Sequence, residues 1–228
     1  MRNNFLLDAD ETILDFVRSS RESLRYAMET IGLTWREGDF SSYKEINDGL
    51  WREYERGEIT KKALTRERFV RFFAHLNVEA DPSQANAIYF DKLSRTGYLL
   101  EGAQEFLNAL KKRGKIFLIT NGTPQAQYGR LDSLNLRSFF DGIYVSDEIG
   151  FAKPDVRFFE FLLKREHLLK DDCLVIGDSL SSDIAGANAS GLSCIWYDPF
   201  HREMKGSVAD YCAQTYDDIL KIIDTLNG

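Results

Sequence analysis

Eight residues in this chain have the types and spacing to do chemistry if the fold gathers them. Asp8 and Asp10 stand one residue apart in FLLDADETILDF, residues 5–16, directly after an apolar run. Carboxylates that close disfavour each other's ionisation, and the usual relief is a bound cation or a shared proton. Thr120, Asn121 and Gly122 end a second apolar run, KIFLITNGT at 115–123, and offer a hydroxyl and backbone N–H donors suited to an anion. Lys153, before a proline in FAKPD at 151–155, offers a positive charge. Asp178 ends a third run, CLVIGDSLSSDIAGA at 173–187, and Asp183 follows one turn into the next helix. Each has a plainer use alone: a solvated turn for the aspartates, an Asn-Gly turn, an exposed lysine, a first-turn acid favoured by the helix dipole at Asp183. In this order they supply a nucleophile and an acid, a hydroxyl with backbone donors, a lysine and a second acidic cluster.

The elements that must position them follow from the hydrophobic pattern. Residues 4–9, 115–120, 142–146, 172–177 and 193–197 read as short buried strands. Helical patterns lie between them, at 102–113, 124–135, 155–166 and 182–190. This alternation predicts an α/β fold: a doubly wound, Rossmann-like parallel sheet with helices on both faces. Such sheets bind ligands at the carboxyl ends of their strands, where Asp8, Thr120 and Asp178 all fall. Residues 17–94 break the pattern and read as helices only, near 18–32, 40–56, 60–76 and 82–95. The expected organisation is a core from residues 1–16 and 95–228, with an all-helical segment, 17–94, inserted after the first strand.

Composition narrows the setting. The chain has 228 residues, 43% of them hydrophobic, enough for a sizeable core. A formal net charge of −7 argues against broad affinity for nucleic acid or anionic membrane, which need basic surface. No apolar run approaches the roughly 18 residues of a membrane span. The 3 cysteines, Cys173, Cys194 and Cys212, lack CxxC spacing, and the first two fall in apolar strands. Buried, reduced thiols and the lack of a signal-like segment before the first strand fit a cytoplasmic protein.

The four ordered motifs resemble the haloacid dehalogenase superfamily of phosphohydrolases over nearly the whole chain. Asp8-Ala9-Asp10-Glu11-Thr12, Thr120, Lys153 and Gly177-Asp178 through Asp183 match its pattern, with one departure: Glu11 stands where many relatives have glycine. The resemblance implies Asp8 as nucleophile, forming an aspartyl-phosphate, and Asp10 as general acid and then base. It implies Mg2+ held by the Asp8 and Asp178 carboxylates and the Asp10 backbone carbonyl, with Asp183 orienting groups around it. Thr120, Asn121, Gly122 and Lys153 would bind the phosphoryl group and stabilise its charge. The helical insertion would be a cap that opens and closes over the site.

The cap segment DFSSYKEINDGLWREYERGEIT, residues 39–60, carries Phe40, Tyr43, Asn47, Leu50, Trp51 and Tyr54 on one helical face. Most of these suit the apolar core of a bundle. Asn47 is harder to place there, because an amide among apolar groups needs partners, and Trp51 and Tyr54 beside it would suit a nucleobase. This run, with Ile119-Thr120-Asn121-Gly122, Ala152-Lys153-Pro154 and His201-Arg202-Glu203, resembles the bacterial pyrimidine 5′-nucleotidases of the superfamily. The implied partner is a small phosphorylated metabolite, a nucleoside monophosphate, handled by a monomer or homodimer. A sugar-phosphate phosphatase or a phosphomutase is the alternative. A haloacid dehalogenase needs neither Asp10 nor a metal, and a non-catalytic relative would be expected to lack Asp8, Asp10 or Asp178.

Overall fold

The computed structural model describes residues 1–202 and 208–228, so Glu203 of the His201-Arg202-Glu203 run lies outside the described residues. The chain divides into two compact units. One comprises Met1–Phe16 and Gly97–Gly228, the other Val17–Thr96.

The first unit is built on strands β1 (Asn4–Asp8), β2 (Lys115–Thr120), β3 (Gly142–Val145), β4 (Cys173–Gly177), β5 (Ser193–Tyr197) and β6 (Tyr211–Ala213). They form one parallel sheet in the order β3-β2-β1-β4-β5-β6. β1 is central and buried along its whole length, which explains its unbroken apolar run. Its side chains alternate between two cores. Phe5 and Leu7 join Leu118, Leu174 and Ile176 on one face, and Leu6 joins Phe117, Ile119 and Val175 on the other. Chain order reverses at β1, with β2 on one side and β4 on the other. That is where a doubly wound sheet opens a crevice at its carboxyl edge.

The helices are α1 (Phe16–Thr30), α2 (Asp39–Glu55), α3 (Lys61–Leu76), α4 (Pro82–Leu93), α5 (Ala103–Lys111), α6 (Pro124–Ser133), α7 (Ser146–Ile149), α8 (Val156–Glu166), α9 (Ala185–Ser190) and α10 (Tyr216–Asn227). Phe106 and Leu107 of α5 and Ile219 and Ile223 of α10 pack on the first face. Phe158, Phe159 and Leu162 of α8 pack on the second. β6 and α10 lie beyond the elements read from the sequence. β6 is a three-residue edge strand with no apolar run, and α10 starts from a capping box in which Thr215 and Asp218 satisfy each other's backbone N–H. The helix expected at 182–190 is two pieces, a π-helical turn at Leu180–Ile184 and then α9.

The second unit contains residues of α1 and all of α2, α3 and α4. Thr60 caps α3 by accepting from Ala63 N at 3.2 Å, and Asp81 caps α4 by accepting from Ser83 N at 2.8 Å, with Pro82 opening the helix. Its core is aromatic: the Tyr43 ring lies 5.6 Å from Phe69, 5.4 Å from Phe72 and 5.6 Å from Tyr89. Phe40, Tyr43 and Leu50 of the distinctive segment are buried in this core. Among the described residues, no helix is long and apolar enough to cross a membrane. Cys173 and Cys194 are buried free thiols, and Cys212 is an exposed one.

Candidate active site

The sheet brings the motif residues of the first unit together at one edge. Asp8 is the last residue of β1, in register with Ile119, the residue before Thr120. Asp178 directly follows β4, and Lys153 precedes α8. The Lys153 ammonium is buried, 2.6 Å from Asp8 Oδ1 and 2.6 Å from Asp183 Oδ1, and also donates to the Ile119 carbonyl at 3.1 Å. One cation therefore bridges two carboxylates that lie 175 residues apart in sequence, 183 − 8.

Each member is fixed by the backbone around it. Asn121 pins the lysine loop in both directions: its Nδ2 donates to the Lys153 carbonyl at 2.7 Å and its Oδ1 accepts from Lys153 N at 2.9 Å. Asp183 has no exposed surface, and its second oxygen accepts from Ser179 N at 3.1 Å. A Cβ at Gly177 would stand 2.3 Å from that same oxygen, so only glycine lets Asp183 fold back against the strand end. Asp178 is less enclosed. Its backbone carbonyl accepts from Trp196 Nε1 at 2.9 Å and Arg202 Nη2 at 3.1 Å, and Arg202 Nη1 stands 3.5 Å from its carboxylate. Thr12 Oγ1 donates to Asp8 Oδ2 at 3.4 Å. Glu11 takes φ 58°, in the left-handed region that favours glycine, so the one departure from the motif falls where glycine is least strained.

Carboxylate oxygens of Asp8, Asp178 and Asp183 lie within 4.8 Å of one another. Burial pushes the Asp8 carboxyl up to about 7, with the Asp183 charge adding to it and Lys153 pulling the other way. Asp178 is held well above the usual carboxylate range by burial, then by Asp8 and Asp183. Burial draws Lys153 down, but the Asp183 and Asp8 carboxylates outweigh it and hold the ammonium above its ordinary value. One lysine does not balance this much negative charge. The donor set is all hard oxygen, the kind that holds a small divalent cation, so the residues present fit a magnesium ion.

Gln127 and Arg130 of α6 are site neighbours that the sequence reading missed. Both are buried, and both reach Asp10: Gln127 Nε2 at 2.8 Å, Arg130 Nη2 at 3.1 Å and Arg130 Nη1 at 2.7 Å. Gln127 Nε2 also donates to Thr120 Oγ1 at 2.7 Å. The Gly122 N–H, expected at an anion, is donated to Thr120 Oγ1 at 3.0 Å in this structure. The only sequence signal was a polar pair three residues apart on a helix just after the Asn-Gly turn, and that spacing is equally common on solvated faces.

The haloacid dehalogenase-like hydrolase family matches residues 3–191, more than half of the chain. The chain belongs to this family. It is 33% identical over 226 residues to Pyrimidine 5′-nucleotidase PynA of Streptococcus pneumoniae, covering 96% of this chain and 94% of that protein. It is 34% identical over 203 residues to Pyrimidine 5′-nucleotidase YjjG of Escherichia coli, covering 89% and 88%. Among solved structures, the putative HAD-hydrolase YfnB of Bacillus subtilis, described as bound to magnesium, superposes with a TM-score of 0.93 at 30% identity, covering 98% of this chain and 99% of that one. Family membership accounts for the six-stranded parallel sheet and makes the chain a hydrolase of this fold.

Asn47, Trp51 and Tyr54 lie in the second unit. Asn47 is buried, and its Oδ1 has no hydrogen-bond partner among the described residues. Trp51 and Tyr54 are half-buried and meet edge to face at 5.7 Å, with Lys61 Nζ 5.9 Å and 5.5 Å from their ring centres.

The lysine's burial leads to a stability prediction. Lys153→Met leaves Asp8 and Asp183 without their shared cation. Removing one partner of a buried pair costs about 3–5 kcal/mol. A carboxyl whose folded pKa is raised favours the folded state below its unfolded pKa, and that contribution is lost as pH rises through the folded value. With Asp8 already near 7, the cost should be larger at pH 8 than at pH 5. Urea denaturation of wild type and variant at both pH values, in the presence of a chelator, measures it. An equal cost at the two pH values would mean that the lysine is not the counter-charge of these carboxylates.

Proposed function

We propose that this protein is a magnesium-dependent phosphomonoesterase that hydrolyses nucleoside 5′-monophosphates, pyrimidines before purines, through an aspartyl-phosphate on Asp8. The observation that carries the reading is the Asp8–Lys153–Asp183 cluster beside Asp178, at the carboxyl edge of the sheet. The buried Lys153 ammonium favours the ionised form of Asp8 against the effect of burial and aims its carboxylate, as a nucleophile for phosphorus must be aimed.

In the first step Asp8 attacks phosphorus, an oxygen–phosphorus bond forms, and the bond to the leaving alkoxide breaks as Asp10 protonates it. In the second step Asp10 takes a proton from water, that water's oxygen bonds to phosphorus, and the Asp8 oxygen–phosphorus bond breaks, which regenerates the Asp8 carboxylate and releases inorganic phosphate. Lys153 offsets repulsion between Asp8 and the incoming anion, and Thr120 donates to a phosphoryl oxygen. Asp10 now accepts from Gln127 and Arg130, so the acid step requires one of these donors to let go. Asp8 and Asp178, with the Asp10 carbonyl, would hold a magnesium ion. When bound, it neutralises the carboxylates and draws charge from the phosphoryl group. Both Asp183 oxygens are engaged, one by Lys153 and one by Ser179 N, which suits an orienting role. Asp10 and the three-carboxylate cluster favour this reading over attack on carbon, which uses neither.

The helical unit is proposed as the cap that selects the substrate. Phosphate contacts are common to all phosphate esters, so discrimination must come from groups touching base or sugar. The half-buried Trp51–Tyr54 pair and the Asn47 Oδ1, which has no partner among the described residues, would supply stacking and hydrogen bonding. The resemblance to PynA and YjjG supports a nucleotide over a sugar phosphate.

Asp8→Asn keeps the shape and removes the attacking charge. Turnover should collapse while circular dichroism shows a native fold; a folded variant with near wild-type turnover would falsify the covalent step. Magnesium should raise the melting temperature of wild type more at pH 8 than at pH 5, because Asp8 and Asp178 hold their protons longer than ordinary carboxylates, and Asp178→Asn should erase most of that shift. A pH-independent shift, or one that survives in Asp178→Asn, places the ion elsewhere. Base stacking on an aromatic ring is worth about 1–3 kcal/mol, so Trp51→Ala should lower kcat/KM for uridine monophosphate by about 5- to 150-fold. An aryl phosphate should suffer less. A uniform loss across both substrates retires Trp51 as a base contact, and a wild type that prefers sugar phosphates to uridine and thymidine monophosphates retires the nucleotidase reading.

A further inference from the structure

Beneath the proposed phosphate site lies a closed chain of hydrogen bonds whose directions chemistry fixes. It starts at Arg130, a fully buried side chain that can only donate. Arg130 Nη2 lies 2.8 Å from Gln127 Oε1, so the Gln127 amide must turn its oxygen to the arginine. The opposite orientation would set two donors against each other and press Oε1 against the Asp10 carboxylate. With Oε1 committed, both protons of Gln127 Nε2 point the other way, one to Asp10 Oδ2 at 2.8 Å and one to Thr120 Oγ1 at 2.7 Å.

Thr120 Oγ1 therefore accepts from Gln127. It also accepts from Gly122 N at 3.0 Å. A hydroxyl has two acceptor lone pairs and one proton, so both of its lone pairs are filled. Its proton has no acceptor among the described residues, although Thr120 is buried at 2% exposure. Gly122 is part of the same device: a Cβ there would stand 2.2 Å from Gln127 Nε2, so glycine is needed for the amide to reach the threonine.

We infer that Gln127, oriented by Arg130, is a positioning residue that makes the Thr120 hydroxyl an obligatory hydrogen-bond donor, ready for an anionic phosphoryl oxygen before any ligand arrives. This rests on the phosphatase reading above and adds residues that reading does not contain. A hydroxyl free to rotate would have to be reoriented on binding, and one that could accept would tolerate a donor in the phosphate's place. Arg130 and Gln127 remove both options, and the donor is arranged during folding rather than during turnover.

The test is a double-mutant cycle read on binding of inorganic phosphate, as its competitive inhibition constant and in direct titration with magnesium present. Thr120→Val removes the donor and should weaken phosphate by about 10- to 100-fold, the range for a hydrogen bond to a charged group. Gln127→Met is neutral and cannot donate, so it should weaken phosphate by at least about 3-fold and by no more than Thr120→Val does. Gln127→Glu still accepts from Arg130 and would take the Thr120 proton for itself, so it should weaken phosphate more than Gln127→Met. In the Thr120→Val background, Gln127→Met should cost less than about 2-fold further, because a residue acting through Thr120 has nothing left to act on. A residue that merely supported the fold would lower the melting temperature and cost the same in both backgrounds. An unchanged phosphate constant in folded Gln127→Met, or additive losses in the cycle, overturns the inference while wild-type hydrolysis keeps the phosphatase reading intact. A wild type that neither binds phosphate nor releases it from esters overturns both.

Discussion

Everything at the carboxyl edge of this sheet depends on one buried ammonium. Lys153 stands 2.6 Å from Asp8 and 2.6 Å from Asp183, and all three side chains are shielded from water. In so enclosed a place a carboxylate without a counter-charge takes a proton and a lysine without one loses its own. Lys153 keeps its charge because the two carboxylates outweigh its burial, and it opposes the rise that burial imposes on Asp8. The neighbouring structure serves that mutual dependence: Asn121 clamps the backbone of Lys153, Ser179 N holds the far oxygen of Asp183, and the bare Cα of Gly177 makes room for it. Asp178 adds a third carboxyl group within 4.8 Å, and burial with the nearby Asp8 and Asp183 raises the cost of ionising it. A site left short of positive charge suits a divalent cation and a substrate that arrives with it.

A second network sits beside the first and works by direction rather than charge. The lysine cluster sets one ammonium 2.6 Å from each of two carboxyl groups. The Arg130–Gln127–Thr120 chain settles which way protons point. In the proposed mechanism the two would meet the substrate at different atoms: Asp8 at phosphorus, Thr120 at a phosphoryl oxygen. Asp10 is tied to the second network by Gln127 and Arg130, so the proposed acid and the proposed phosphate donor share one support on α6. In the proposed mechanism a change in Gln127 would reach both binding and proton transfer, and a phosphate-binding measurement tells the two apart.

The sequence disclosed different parts of this with different ease. β1 to β5 were legible because parallel strands buried on both faces must be apolar throughout, as in FLL, IFLI and LVI. β6 was not, because it is an edge strand of only three residues, with Cys212 exposed and Ala213 alone buried. Asp8, Asp10 and Asp178 were legible from their positions at strand ends, and Lys153 only from its place in the ordered set. The sequence points to the backbone N–H of Asn121 as an anion donor, and the structure adds a part for its side chain, which clamps the lysine loop. Gln127 and Arg130 were beyond reach because their roles are set by Asp10, 117 and 120 residues earlier. The glycine-favouring position at Glu11 was noticed as a departure from the motif, and only the backbone φ of 58° gives it a physical meaning.

The claim on which the rest stands is that Asp8 carries the phosphoryl group between two displacements. Each in-line displacement inverts phosphorus. A phosphorothioate monoester made chiral at phosphorus with oxygen isotopes, hydrolysed in water carrying the remaining isotope, therefore reports how many displacements occur. Net retention of configuration in the released thiophosphate is expected. Net inversion would mean that water attacks phosphorus directly, and it would contradict a nucleophilic role for Asp8.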